Sequence, residues 1–151
     1  MHTHDPVRTL NSLIETCDNA DLTFSRAAEH ARTSDLRAFL AGRAQECRQC
    51  REELRKEVID LGGTPGKNGA ASGTRKRSWA VLLSMVSSDS DRTMLEACEL
   101  GNNFAMEDYR EALSQPLPDD IRQLLECQFE GVKHTHRMIR GLRAEARELH
   151  C

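Results

Sequence analysis

The chain has 151 residues, of which 30% are charged and only 4% aromatic, and its formal net charge is −3. That length suits one domain with a real core, so 1–151 is expected to fold as a single unit. Charges of both signs are interspersed, which excludes the basic face of a nucleic-acid binder. No apolar run approaches the roughly 20 residues that a membrane-spanning helix needs.

The first helix is expected over 7–31. Asp5-Pro6 supplies an N-cap followed by proline at the first helical position, and Leu10, Leu13, Ile14, Cys17, Asp21, Phe24, Ala28 and Ala31 recur at helical period. After a turn at Thr33-Ser34, with Ser34 as cap, a second helix is expected over 35–61. It carries Leu36, Phe39, Leu40, Ala44, Cys47, Leu54, Val58 and Leu61 and stops at Gly62-Gly63. So short a connection makes the pair antiparallel.

Residues 62–88 change character. Thr64-Pro65-Gly66-Lys67-Asn68-Gly69 and Ser72-Gly73-Thr74 are turn chemistry. Arg75-Lys76-Arg77 then precedes Trp79 and an apolar run from Val81 to Val86, read as a short helix docked on the rest. A third long helix is expected over 90–114, after the cap cluster Ser88-Asp89-Ser90-Asp91. A fourth is expected over 119–149, after the proline-punctuated turn Ser114-Gln115-Pro116-Leu117-Pro118, with Asp119-Asp120 as cap and a fraying tail from Arg143. A helix of 27 residues is about 40 Å long, and the 62–88 crossover can run that distance. The expected fold is therefore all-α, a ferritin-like four-helix bundle. Two antiparallel hairpins are joined by a long crossover and enclose one aliphatic interior.

Folding each hairpin about its turn places Cys17 and Asp18 opposite Glu46 and Cys47, Asp21 opposite Ala44, Glu99 opposite His134, and Asn102 opposite Glu130 and Gly131. Polar groups at this depth must be paired, hydrated or bound to an ion. Asp21, Asn102, Gln128 and His136 follow the apolar stripes best. The candidate metal ligands are Asp18, Asp21, Glu46, Glu99, Glu130, His134 and His136, for iron, manganese or zinc. No Glu-x-x-His occurs, although Glu130 and His134 share a face at i, i+4. The other reading of these residues is a buried hydrogen-bond network that fixes helix register.

Six cysteines in a chain without an evident leader read as reduced thiols. The opening Met-His-Thr-His-Asp-Pro has no basic or apolar signal region, so the expected compartment is the cytosol. Cys47 and Cys50 share a helical face, with Cys17 expected at the same height on the neighbouring helix. Three thiolates could hold zinc or copper(I). A redox Cys-x-x-Cys, however, sits at a helix N-terminus, and this one is mid-helix. Apolar filling by small side chains is the favoured reading. No nucleophile elbow, P-loop or dinucleotide fingerprint is present.

Leu10 to Asp18 with Phe24 and Ala27-Ala28-Glu29, then Leu61-Gly62-Gly63-Thr64-Pro65 with Trp79, Glu99-Leu100-Gly101 with Tyr109, and His136 with Ile139-Arg140 and Leu142-Arg143 span nearly the whole chain. Together they resemble a group of uncharacterised bacterial ferritin-like, rubrerythrin-related four-helix-bundle proteins. The resemblance implies that fold, no established activity, and links to stress or metal handling. The group carries an acidic pair after the glycine of its third helix, where this chain has Asn102 and Asn103. An amide oxygen is the poorer, neutral ligand, and Cys47 and Cys50 are also unusual for the group. The leading expectation is a non-enzymatic binding or stress-response protein, a homodimer or larger, with an unknown protein partner. A di-metal oxidase or storage protein and a thiol-based metal or redox site are the alternatives.

Overall fold

The computed structural model describes residues 5–66, 73–87 and 90–149. Its described residues form five helices and no strand: α1 (Pro6–His30), α2 (Ser34–Asp60), α3 (Gly73–Met85), α4 (Asp91–Leu113) and α5 (Asp119–Leu149). The turn residues 67–72, Ser88-Asp89, His2, His4 and Cys151 lie outside this description.

Local chemistry sets the boundaries. Asp5 caps α1 by accepting from the Val7 amide at 3.0 Å, with Pro6 at the first helical position. The cap of α2 is Thr33, not the expected Ser34: its hydroxyl accepts from the Leu36 amide at 3.2 Å, and Ser34 is already helical. Ser90 caps α4 in the same way, through the Thr93 amide. Gly62, at φ 83°, ends α2 with bonds from Gly62 N to Ile59 O and from Gly63 N to Val58 O. These two bonds define a Schellman motif, which needs a residue free to adopt the left-handed conformation. Helix α5 continues through Leu149, and Arg143, the first residue of its polar tail, is tied to Glu99 at 2.9 Å.

The helix α1 packs on α2 and α4. The helix α5 packs on α4 and touches α2 more lightly, so α1–α5 and α2–α4 are the diagonals. The hydrophobic residues divide into two clusters rather than one continuous interior. One joins Ala20 to Ala28 of α1 and its C-cap Ala31, Leu36 to Cys47 of α2, Met94 to Cys98 of α4, Trp79, Leu82, Val86 and Ile139. The other joins Leu10 to Cys17, Leu54, Val58, Ala105 to Ala112, and Ile121 to Val132. Helices α2 and α4 thus both run from the first cluster to the second, while α1 and α5 run back. The short helix α3 rests on α4 and α1, and its Trp79 packs edge-on against Phe104 with ring centroids 5.5 Å apart.

Between the clusters lies a belt of buried polar side chains, with Arg43, Asn102, Gln128 and Thr135 all inside. The amide of Asn102 donates to Val132 O at 3.1 Å, close to the level expected from its hairpin. On the other hairpin, Arg48 reaches Asp21 at 2.6 Å and Arg51 reaches Asp18 at 2.9 Å. Those partners lie about a turn further along α2 than simple fold-back gives, within the span of an arginine stem.

Candidate functional site

Two places gather chemistry, one inside and one on the surface. The interior one begins at Tyr109, whose hydroxyl donates to Gln128 Oε1 at 2.8 Å and lies 3.7 Å from Cys17 Sγ. The Gln128 amide then donates to Cys50 O at 3.3 Å and Glu53 Oε1 at 3.0 Å, linking α4, α5 and α2. Phe129 stacks beside Tyr109.

Arg43 is the unexpected member, only 7% exposed. Its Nη1 donates to Glu46 at 2.6 Å, and its Nε, buried, has no hydrogen-bond partner. Gly131 on α5 faces it, and a Cβ there would come within 3.8 Å of Nη1. Burial works against the guanidinium's charge, but Cys47, Glu46 and Cys50 outweigh it and raise its pKa. The thiols themselves stay protonated at neutral pH. Burial pushes Cys47 up to about 11 and Cys50 up to about 12, and it lifts Cys17 well above the ordinary thiol range. At neutral pH the carboxylate of Glu46 is therefore the charge that holds Arg43. Arg43 fell on the apolar stripe of α2, between Leu40 and Cys47 at helical spacing. That position was the signal that sequence reasoning passed over.

Each residue singled out from the sequence has a definite place. Asp18 and Asp21 face arginines of α2, and Asp21 also accepts from Ser25 at 3.0 Å. Glu46 points outward, 61% exposed, and Glu99 is held by Arg143. Glu130 is 67% exposed and pairs with Lys133 at 2.7 Å, which lowers its pKa through that hydrogen bond. His134 is exposed, and His136 is partly buried with an Nδ1 that has no hydrogen-bond partner. Among the described residues, no three His, Cys, Asp or Glu side chains gather as a metal cluster. Cys17, Cys47 and Cys50 lie in one electrostatic neighbourhood and are free thiols, as are Cys98 and Cys127.

The surface place is a groove of about 530 Å³ between α1, α3 and α4. Helix α1 contributes Arg8, Ser12, Glu15, Thr16 and Asn19, α3 contributes Arg75, Lys76 and Trp79, α4 contributes Asp108 and Glu111, and the turn after α4 contributes Gln115. Asp108 is its most constrained group. Burial raises its pKa, although Thr16 donates to it at 2.8 Å and Arg75 lies 3.4 Å away. Arg75 also binds Glu107 at 2.9 Å and lies over the Phe104 ring at 4.4 Å. Sequence reasoning missed this site. Gly101, Phe104 and Asp108 form a second face of α4, at i, i+3, i+7, which receives α3.

A family model described as a domain of unknown function, DUF2383, matches residues 5–115. The chain belongs to this family. The match takes in α1 to α4, and with them every wall of the groove and all of the interior network except the α5 residues. No curated protein matches the chain. Membership assigns no activity, so what this DUF2383 protein does must be argued from its side chains. No helix among the described residues is long and apolar enough to cross a membrane.

Proposed function

We propose that this chain is a non-enzymatic binding module on a ferritin-like scaffold, and that the groove between α1, α3 and α4 is where it holds a small ligand. The scaffold reading is supported by two antiparallel helix pairs whose connection, from Gly62 to Ser90, starts beside α1's beginning and ends beside the opposite cluster.

One observation carries the binding reading. The groove has a volume usual for small-molecule sites, and it presents charges that the fold does not use. The side-chain charges of Arg8 and Lys76, both exposed, and of Glu15, half-buried, line it with no hydrogen-bond or ion-pair partner among the described residues. Elsewhere the carboxylates at mid-height are taken up by arginines, as at Asp21–Arg48 and Glu99–Arg143. Unspent charges of both signs in one concavity suit an exogenous polar ligand better than they suit stability.

Trp79 borders the groove and is the only tryptophan, but it is only 2% exposed, so binding is read by calorimetry with its emission as a second signal. The test titrates the protein with inorganic phosphate, a diamine, a dicarboxylate, free amino acids and a tripeptide. A saturable change in the wild-type chain that Ser12→Phe abolishes, by filling the groove, supports the reading. If no member of the panel gives a saturable change, the reading falls.

A further inference from the structure

The charges of the groove are ordered as well as unspent, and their spacing points to a ligand class. Arg8 and Glu15 stand seven residues apart on α1, which returns them to the same helix face two turns apart. At about 1.5 Å of rise per residue their backbone positions are about 10 Å apart along the axis. An extended peptide spans at most about 3.3–3.6 Å per residue, so three residues cover that distance between terminal charges. The other acidic groups of the groove are already engaged: Gln115 donates to Glu111 at 3.3 Å, and Thr16 with Arg75 holds Asp108. Glu15 is therefore the carboxylate left for a cationic end; Arg8 and Lys76 are the cations left for an anionic one, and Arg8 is the one that stands on the same face of α1, two turns from Glu15. Between them the groove is lined by Ser12, whose hydroxyl donates to Arg8 O at 3.0 Å, and by Gln115 of the turn after α4, whose amide nitrogen donates to Glu111; what each oxygen can still do for a peptide's amides is to accept.

We infer that the groove takes a short zwitterionic peptide of about three residues, carboxylate on Arg8 and ammonium on Glu15. This rests on the binding reading above and deepens it. A guanidinium recognises a carboxylate in bidentate fashion, and a half-buried carboxylate recognises an ammonium as a charge-assisted partner. Each end therefore reads one terminus, and neither depends on the peptide's side chains.

The test uses trialanine, N-acetyl-trialanine and trialanine amide, read by Trp79 emission and by calorimetry on the full chain. Trialanine is expected to bind saturably, and either blocking group is expected to weaken it at least tenfold. Arg8→Ala should weaken trialanine at least tenfold while leaving its residual affinity indifferent to C-terminal amidation. Glu15→Gln should do the same with respect to N-acetylation. Both positions are on the helix surface, so circular dichroism and thermal midpoint should stay at wild-type values. If the blocked peptides bind as tightly as the free one, or a dicarboxylate binds better, the zwitterion assignment is overturned while groove binding stands. If trialanine fails but another panel member binds and Ser12→Phe blocks it, the peptide inference alone falls. If nothing binds, both fall together.

Discussion

Tyr109 and Gln128 meet at 2.8 Å in the middle of the molecule, and neither could exchange that bond for water, because both are buried. The phenol donates to the amide oxygen. That fixes the amide nitrogen toward Cys50 O and Glu53, so one hydrogen bond orients a side chain that links α5 to α2. Tyr109→Phe should leave the Gln128 oxygen unsatisfied and cost about 1–3 kcal/mol. Urea unfolding followed by circular dichroism measures it. A loss below about 0.5 kcal/mol would mean that the amide finds another donor and that the network does not set register.

How much of this was readable beforehand depends on whether a residue's role is local. Asp5-Pro6, Ser90 and Gly62-Gly63 act on their own backbone, so caps and stops were visible in the chain, and the cap of α2 missed by one residue because Thr33 and Ser34 carry equivalent hydroxyls. The apolar stripe of α1 was equally plain, with Asp21 turned to its edge by Arg48. Arg43 stood on the apolar stripe of α2, but arginine reads as surface by type, and what admits it to the interior, the thin α2–α5 seam with Gly131 opposite, is a tertiary feature. The groove was invisible for a different reason. It exists only because α3 docks across Gly101 and Phe104, and no pattern within 62–88 says which face of α4 it will meet.

That docking makes its own prediction. A Cβ at Gly101 would stand 3.0 Å from the Trp79 ring, which is itself held between Phe104 and the core. In an unpacked helix, replacing glycine by alanine would stabilise by about 0.5–1 kcal/mol, and by valine somewhat less. Here Gly101→Val should reverse the sign and cost about 1–3 kcal/mol, because the branched side chain must displace a ring that has nowhere to go. Thermal unfolding and a red shift of Trp79 emission are the readouts. Unchanged emission with raised stability would show that α3 is free to move off α4.

Asp108 should make stability depend on pH in an unusual direction for a carboxylate. Burial raises its folded-state pKa above the unfolded value of about 3.9. The folded state therefore holds the proton more tightly than the unfolded chain does, and the contribution is fully present below about pH 3.9. It is lost as pH rises through the raised folded value. Asp108→Asn cannot titrate. The difference in unfolding free energy, wild type minus variant, should fall between pH 3.5 and neutrality and then level off. A difference that rises over that interval would show that Arg75 and Thr16 outweigh burial.

The thiols divide by exposure, and their chemistry should divide in the same way. Cys127 is exposed on α5, whereas Cys17, Cys47 and Cys98 are buried and Cys50 is partly so. Burial holds Cys98 at about 12 and Cys47 at about 11, so at pH 8 the thiolate fraction of these residues is small as well as shielded. In a Cys151→Ser background, which removes the terminal thiol, an aromatic disulfide reagent at pH 8 should label one thiol within minutes. Cys127→Ser should erase that phase. The remaining four should react only at the rate of opening, accelerated by urea. Rapid labelling of Cys47 or Cys50 in the native protein would mean that Arg43 lowers their pKa more than burial raises it, and the interior would then be a reactive thiol centre rather than a packed one.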